Sequence, residues 1–227
     1  KNPKQFWSSI WEFSNIKGIK NDNFYFPKEI IKSKFLVKSK LNYAENLLSK
    51  NDNSKAVTFI SENGYREEKS WKELNNNTFK FINFFKENKI KEKDRIAAYT
   101  VNQIETVEGF LATSAIGAIW SSCSPDFGTQ GVIERFSQIK PKLLIITDRY
   151  YYNGKEINVI ERLPAILKKI KSIKSVLITN YPGKKYLKPK KIKGVKIFYY
   201  HRLKKQKEKQ FLFNKFDFDK ELAILYS

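Results

Sequence analysis

Between positions 94 and 148 the chain alternates short apolar runs with longer segments whose apolar residues recur every three or four positions. The short runs, 95–101, 118–122 and 142–147, are bounded by polar or turn residues and read as strands. The segments between them, 104–114 and a stretch opening at Thr129 as an N-cap and running to 139, read as helices. Gly117 follows the first helix, where a chain leaving a helix takes positive φ. The alternation goes on with a helix expected over 156–173 and strands over 175–180 and 195–201. Strands separated by helices form a parallel sheet buried on both faces, and ligands sit outside the carboxyl ends of such strands. The loop 122–128 is therefore the first place to look for chemistry.

Before this unit the pattern changes. Phe6, Trp7, Ile10, Trp11 and Phe13 recur at near-helical spacing, and packing is the plainest use for their large apolar area. An irregular aromatic stretch and a helix over 41–48 follow without strand alternation, so residues 1–48 read as an appended arm. Residues 56–61 and 65–70 flank Glu62-Asn63-Gly64, a hairpin signal. Ser70 and Glu73 then form a capping box for a helix over 71–88 that places Leu74, Thr78, Phe81, Ile82 and Phe85 on one face. Residues 49–227 thus read as an α/β unit of mostly parallel sheet flanked by helices.

Composition narrows the function classes. With 41% hydrophobic and 15% aromatic residues, the 227 residues can bury a sizeable core. No run approaches the roughly 20 apolar residues of a spanning helix. Cys123 and His201 are each the only residue of their kind, which excludes an internal disulfide and a Cys/His metal cluster, and a reducing, cytoplasmic compartment is the expectation. A nucleophilic cysteine needs a base, and the only histidine stands far off in an expected apolar strand, so Cys123 reads as a small buried residue and His201 as structural. The formal charge of +21 attracts phosphate of any kind. Yet only six of the basic residues are arginine, no nucleic-acid motif is present, and the basic runs 184–193 and 202–209 flank turns and read as solvated. A specific nucleic-acid partner is not expected. Phosphate-loop, dinucleotide-binding, serine-hydrolase and zinc-protease signatures are absent. The sequence holds no methionine and stops inside the apolar run 222–227, which reads as a strand, so the expectation is a chain cut at both ends.

Residues 117–128 (GAIWSSCSPDFG), read on through 131–141 (GVIERFSQIKP), resemble the acetoacetyl-CoA synthetases, which are AMP-forming acyl-CoA synthetases of the adenylate-forming superfamily. Phe6-Trp7 with Trp11, the segment 41–48 (LNYAENLL), the turn 152–155 (YNGK) and the stretches 216–219 (FDFD) and 224–227 (ILYS) resemble the same family in the same order.

The resemblance implies the N-terminal part of the adenylate-forming large domain, preceded by a helical arm. It implies a two-step reaction: acetoacetate attacks the α-phosphate of Mg-ATP to give acetoacetyl-AMP and pyrophosphate, and coenzyme A then displaces AMP. By resemblance, Pro125, Asp126, Phe127 and Gly128 lie along coenzyme A and Lys155 reaches its 3′-phosphate. Tyr152 stands where related acetyl-CoA synthetases carry an arginine, and their glycine pair is absent. Ser227 matches the first residue of the loop that holds the ATP phosphates. ATP, Mg2+ and coenzyme A are thus the expected cofactors of the complete enzyme. No catalytic residue and no metal ligand falls on this chain, which alone is expected to be inactive and to bind none of them tightly. The alternatives are a fragment of another short-chain acyl-CoA ligase, using acetate or propionate, and a basic nucleic-acid-binding module. Oligomeric state stays open.

Overall fold

A computed structural model describes residues 2–190, 192–205 and 211–226. The elements in chain order are α1 (Pro3–Phe13), β1 (Gly18–Ile19), β2 (Lys40–Leu41), α2 (Tyr43–Leu47), β3 (Lys55–Ile60), β4 (Arg66–Ser70), α3 (Trp71–Glu87), β5 (Arg95–Tyr99), α4 (Ile104–Ala115) and β6 (Ile119–Cys123). They continue with α5 (Thr129–Ile139), β7 (Leu143–Thr147), β8 (Arg149–Tyr152), β9 (Lys155–Asn158), α6 (Leu163–Lys169), β10 (Ser175–Thr179), β11 (Lys196–Tyr199), α7 (Tyr200–Lys204) and β12 (Phe216–Asp217).

The expected parallel sheet forms. Five strands in the order β11-β10-β7-β5-β6 are parallel throughout. Their side chains divide between two cores with the period of a strand. Ala97, Tyr99, Leu144, Ile146, Val176 and Ile178 meet Val132, Phe136 and Leu163 from α5 and α6. Ile96, Ala98, Leu143, Ile145 and Leu177 meet Phe81, Phe85 and Leu111 from α3 and α4. Because both faces are covered, every residue of β7 and β10 is buried. The capping box at the start of α3 forms as expected, with the Glu73 N–H donating to Ser70 Oγ at 3.2 Å.

The arm is tied down more firmly than its sequence indicates. β2 pairs antiparallel with both β1 and β12, so residues 18–19 and 216–217 share a small sheet. Asn42, fully buried, donates to the carbonyls of Ala115 and Asn214, both at 2.9 Å, and accepts from the Glu45 N–H as the cap of α2. Asn46 exchanges hydrogen bonds with the Lys17 backbone. Within the 41–48 segment Asn42 ties the arm to the body, and Asn46 ties two parts of the arm to each other. On α1 only Trp11 is buried, whereas Phe6, Trp7 and Phe13 stay exposed and Trp7 packs edge-on against Phe35.

Four local expectations are corrected. The helix expected over 156–173 gives way to the β8–β9 hairpin, a 3-10 turn and a short α6. Asn153 and Gly154 both take positive φ and turn the chain in two residues, while Glu156 is drawn across the hairpin to Arg149 at 2.9 Å. Thr129 is the first residue of α5, and its N-cap is Gly128. His201 lies in α7 rather than in a strand, exposed and resting on the rings of Tyr186 and Tyr199. Residues 222–224 join β6 by a single parallel bridge, Trp120 to Ala223, in place of a full strand. The basic run 202–209 is described only through 205. No helix among the described residues is long and apolar enough to cross a membrane.

Candidate functional site

The site lies beyond the carboxyl ends of β5 and β6. There the chain leaves β6 at Cys123 and crosses Ser124, Pro125, Asp126, Phe127 and Gly128 into α5. Cys123 is buried, which pushes its thiol above the usual range, so it is held protonated and packed rather than poised as a nucleophile.

The loop is fixed from beneath. Tyr99, at the end of β5, donates its hydroxyl to the carbonyls of Pro125 at 3.2 Å and Phe127 at 2.6 Å. Arg162, just before α6, donates Nη1 to the same carbonyls at 2.7 and 3.2 Å and to the Tyr99 hydroxyl. A buried tyrosine and a cation thereby satisfy two loop carbonyls together. Burial raises the Tyr99 phenol above its ordinary range while the Arg162 hydrogen bond pulls it down, so the phenol is neutral and donates. Ser124 Oγ donates to Asp126 at 2.7 Å, and the Phe127 N–H donates to the Ser124 carbonyl at 3.1 Å. Phe127 lies under the Arg135 guanidinium, 4.1 Å from ring centroid to cation, which anchors the loop to α5.

A cleft of about 300 Å³ opens beside this loop. Thr100, Asn102, Thr106, Ser122, Ser124 and Asp126 line it together with Tyr150, Tyr151 and Tyr152 of β8. The lining is hydroxyl- and aromatic-rich, with Asp126 its one carboxylate among the described residues. Burial first and Asp126 second raise the Tyr150 phenol. Gln103, the N-terminal boundary residue of α4, is fully buried, and neither its oxygen nor its nitrogen finds a partner.

The sequence-predicted residues thus divide. Pro125, Asp126, Phe127 and Gly128 come together as one loop, although Pro125 is buried and offers only a carbonyl that Tyr99 and Arg162 already use. Lys155 opens β9 on the exposed rim of the hairpin, outside the cleft lining but across the turn from Tyr152, which lines it. That rim is held by Glu62 of the neighbouring β3–β4 turn, whose carboxylate accepts from the N–H groups of Asn153 at 3.2 Å and Gly154 at 2.9 Å. Ser227 lies outside the described residues. Sequence reasoning passed over Tyr99 and Arg162. Their only signal was Arg162 itself, one of six arginines in a lysine-rich chain.

Gly128 needs neither positive φ nor extra room, since nothing lies within 4 Å of the position a Cβ would take. Its lack of a side chain instead leaves the first turn of α5 without a side-chain cap, so N–H groups there stay open to an anionic or hydrogen-bonding ligand. Among the described residues no group of three or more His, Cys, Asp or Glu is arranged to hold a metal ion.

The AMP-binding enzyme family matches residues 46–210. The acetoacetyl-coenzyme A synthetase of Rhizobium meliloti (strain 1021) is 38% identical over 166 residues, covering 73% of this chain and 26% of that protein. The acetoacetyl-CoA synthetase of Xenopus tropicalis is 38% identical over 186 residues, covering 78% and 27% respectively. The solved structure of the acetoacetyl-CoA synthetase from Streptomyces lividans shares the fold with a TM-score of 0.85 at 24% identity, over 99% of this chain and 34% of that one. The chain spans about a quarter of the length of the curated relatives it matches.

Proposed function

The chain belongs to the AMP-binding enzyme family, and from that premise we propose that it is part of an acetoacetate-CoA ligase. The whole enzyme would activate acetoacetate with Mg-ATP to acetoacetyl-AMP and pass the acyl group to coenzyme A. The observation that carries the reading is the 38% identity to acetoacetyl-CoA synthetases over about three quarters of the chain. The domain division made from sequence, an arm over 1–48 and the first α/β part of an AMP-binding domain over 49–227, is kept as part of the proposal.

In this reading the cleft receives part of coenzyme A. The open first turn of α5 and the bare backbone at Gly128 suit close approach by a polar ligand. Asp126 in the cleft lining repels a phosphate, which favours the rim, where Lys155 supplies the cation. Tyr99 and Arg162 hold the loop carbonyls in place, so that the loop presents a fixed edge. The chemical step and Mg-ATP are assigned, in this reading, to parts of the whole enzyme other than these residues. Ser227 is retained as a contact for the ATP phosphates. The 227-residue chain alone is then inactive.

Pyrophosphate release by the full-length protein tests the assignment. Release that depends on acetoacetate, with acetate and propionate giving much less, is the expected result; a preference for acetate or propionate moves the protein to another short-chain acyl-CoA ligase. Acetoacetate-dependent release by residues 1–227 alone would refute the claim that the chain is incomplete for catalysis.

A further inference from the structure

Away from the cleft, the positive charge is gathered rather than spread. From Arg162 to Lys205 the sequence holds fifteen Lys and Arg and no Asp or Glu, while all 23 acidic residues lie elsewhere with the other 29 basic ones. A general taste for lysine does not explain a stretch from which acids are missing, and such asymmetry points to an anionic partner.

In the fold this stretch builds a groove along α6. Two adjoining cavities that share Pro164, of about 680 and 490 Å³, run between α6 with its flanking residues and residues 187–190 and 192–195. One wall carries Lys168, Lys171 and Lys174, the other Lys188, Lys190 and Lys193, and all six are exposed. Leu167 and Ile173 are buried beneath them, and Ile192 and Val195 are half-buried. Among the described residues none of the six lysines makes an ion pair, in contrast to Lys20, Lys69, Lys142 and Lys220 elsewhere. Glu161, the acid at one end, accepts from Asn158 at 2.9 Å. Lysines on an edge strand such as β11 deter unwanted pairing, but that purpose covers Lys196 and not the six groove lysines, which lie outside the sheet.

The lining selects among anionic partners. Among the described residues no aromatic ring lines the groove to stack a base and no arginine offers a bidentate fork, so nucleic acid is poorly served. The surface is concave, which a flat membrane does not match. Cations on two walls above an apolar floor complement a convex element with an apolar stripe and carboxylates on both flanks. We propose that this groove docks an acidic amphipathic helix of a partner protein. The proposal is independent of the coenzyme A reading.

The test uses the full-length protein and a labelled synthetic peptide of about 14 residues, four helical turns, with leucines at helical spacing flanked by glutamates. Its controls are a scrambled isomer of the same charge, a single-stranded RNA and phosphatidylserine vesicles, all at about 0.15 M salt. The helical peptide is expected to bind about tenfold more tightly than its isomer. The triple variant Lys168→Gln, Lys171→Gln, Lys174→Gln is expected to weaken it about tenfold. The matching triple change at Lys28, Lys34 and Lys38, exposed lysines of the arm, should leave binding within about twofold. Equal binding of the isomer, stronger binding of RNA or vesicles, insensitivity to the triple variant at Lys168, Lys171 and Lys174, or no binding would overturn the proposal. If the triple variant fails to fold, Lys188→Gln with Lys193→Gln on the opposite wall is expected to give the same loss, and its absence counts against the groove.

Discussion

The two faces of the parallel sheet carry similar apolar stripes under very different helices. On one face α5 and α6 bury only apolar side chains, Val132, Phe136 and Ile139 from the first and Leu163, Ile166 and Leu167 from the second. On the other, α3 and α4 bury Asn75, Thr78, Glu105 and Glu108 among their apolar residues. Glu108 is wholly enclosed, accepting from Asn77 at 2.8 Å and from the Tyr200 hydroxyl of α7. Glu105 beside it is also buried and lies 3.9 Å from Lys204. The difference teaches that apolar periodicity decides where a helix lies, while buried polar groups decide how that packing responds to solution conditions.

The largest effect should show that the two faces are equal as packing. Phe136 and Phe81 are each fully buried, one per face. Phe136→Ala and Phe81→Ala should each cost about 3–5 kcal/mol, read from urea unfolding at one pH. A much smaller loss on either side would mean that face contributes little to the core.

The second effect should separate the faces. Burial, and then the neighbouring Glu105 charge, pushes Glu108 up to about 8, against hydrogen bonds from Tyr200 and Asn77 and the charge of Lys204 that act the other way. Burial raises Glu105 as well, with the Glu67 charge adding to it and Lys204 and Lys69 opposing. A carboxyl that binds its proton more tightly when folded stabilises the fold fully below its unfolded pKa, near the ordinary carboxylate value, and loses that contribution as pH rises through the folded one. Stability should therefore fall from about pH 5 to pH 9 by a few kcal/mol. Glu108→Gln, which keeps the shape without the charge, should flatten this decline, whereas any neutral change on α5 leaves its slope untouched. A parallel pH profile for Glu108→Gln and the parent chain would sink the idea.

A third effect links the apolar face to the cleft. Tyr99 and Arg162 reach from it to the loop carbonyls of Pro125 and Phe127, so Arg162→Met leaves two carbonyls short of a donor at a cost of about 1–3 kcal/mol. In the full-length enzyme the expected outcome is a raised KM for coenzyme A with the KM for ATP unchanged, together with faster amide exchange over 124–128. Unaltered exchange there would show that the staple does not hold the loop.

Much of this was legible in the sequence, for physical reasons that differ by region. The strands at 95–99, 143–147 and 175–179 announced themselves because burial on both faces demands unbroken apolar runs. Ser70 with Glu73 and Gly117 marked helix ends because capping and positive φ are local demands. The hairpin at 149–158 stayed hidden because its two strands are only four residues each and RYYY and KEIN show no clear apolar–polar alternation. The arm's attachment depends on Asn42 reaching residues 115 and 214, a long-range bond that no local pattern encodes. At the site, the loop 124–128 was visible through its turn residues, whereas Tyr99 and Arg162 meet only after the strands assemble.

The smallest effect concerns the rim. Lys155 is exposed at the start of β9, its position set by the Asn153-Gly154 turn and by the Glu62 carboxylate that accepts from both turn N–H groups. An exposed lysine facing one phosphate is worth about 1 kcal/mol or less once solvent screens it. Lys155→Ala should accordingly raise the KM for coenzyme A several-fold in the full-length enzyme and leave the adenylation half-reaction, followed by pyrophosphate release, unchanged. Dephospho-coenzyme A, which lacks the 3′-phosphate, is the sharper probe: the variant and the parent should use it equally well. If Lys155→Ala weakens both forms alike, the lysine does not meet the 3′-phosphate. If Glu62→Gln, which loosens the turn without removing the cation, reproduces the loss for coenzyme A, the rim acts by holding its shape, and the lysine is only as useful as the hairpin that carries it.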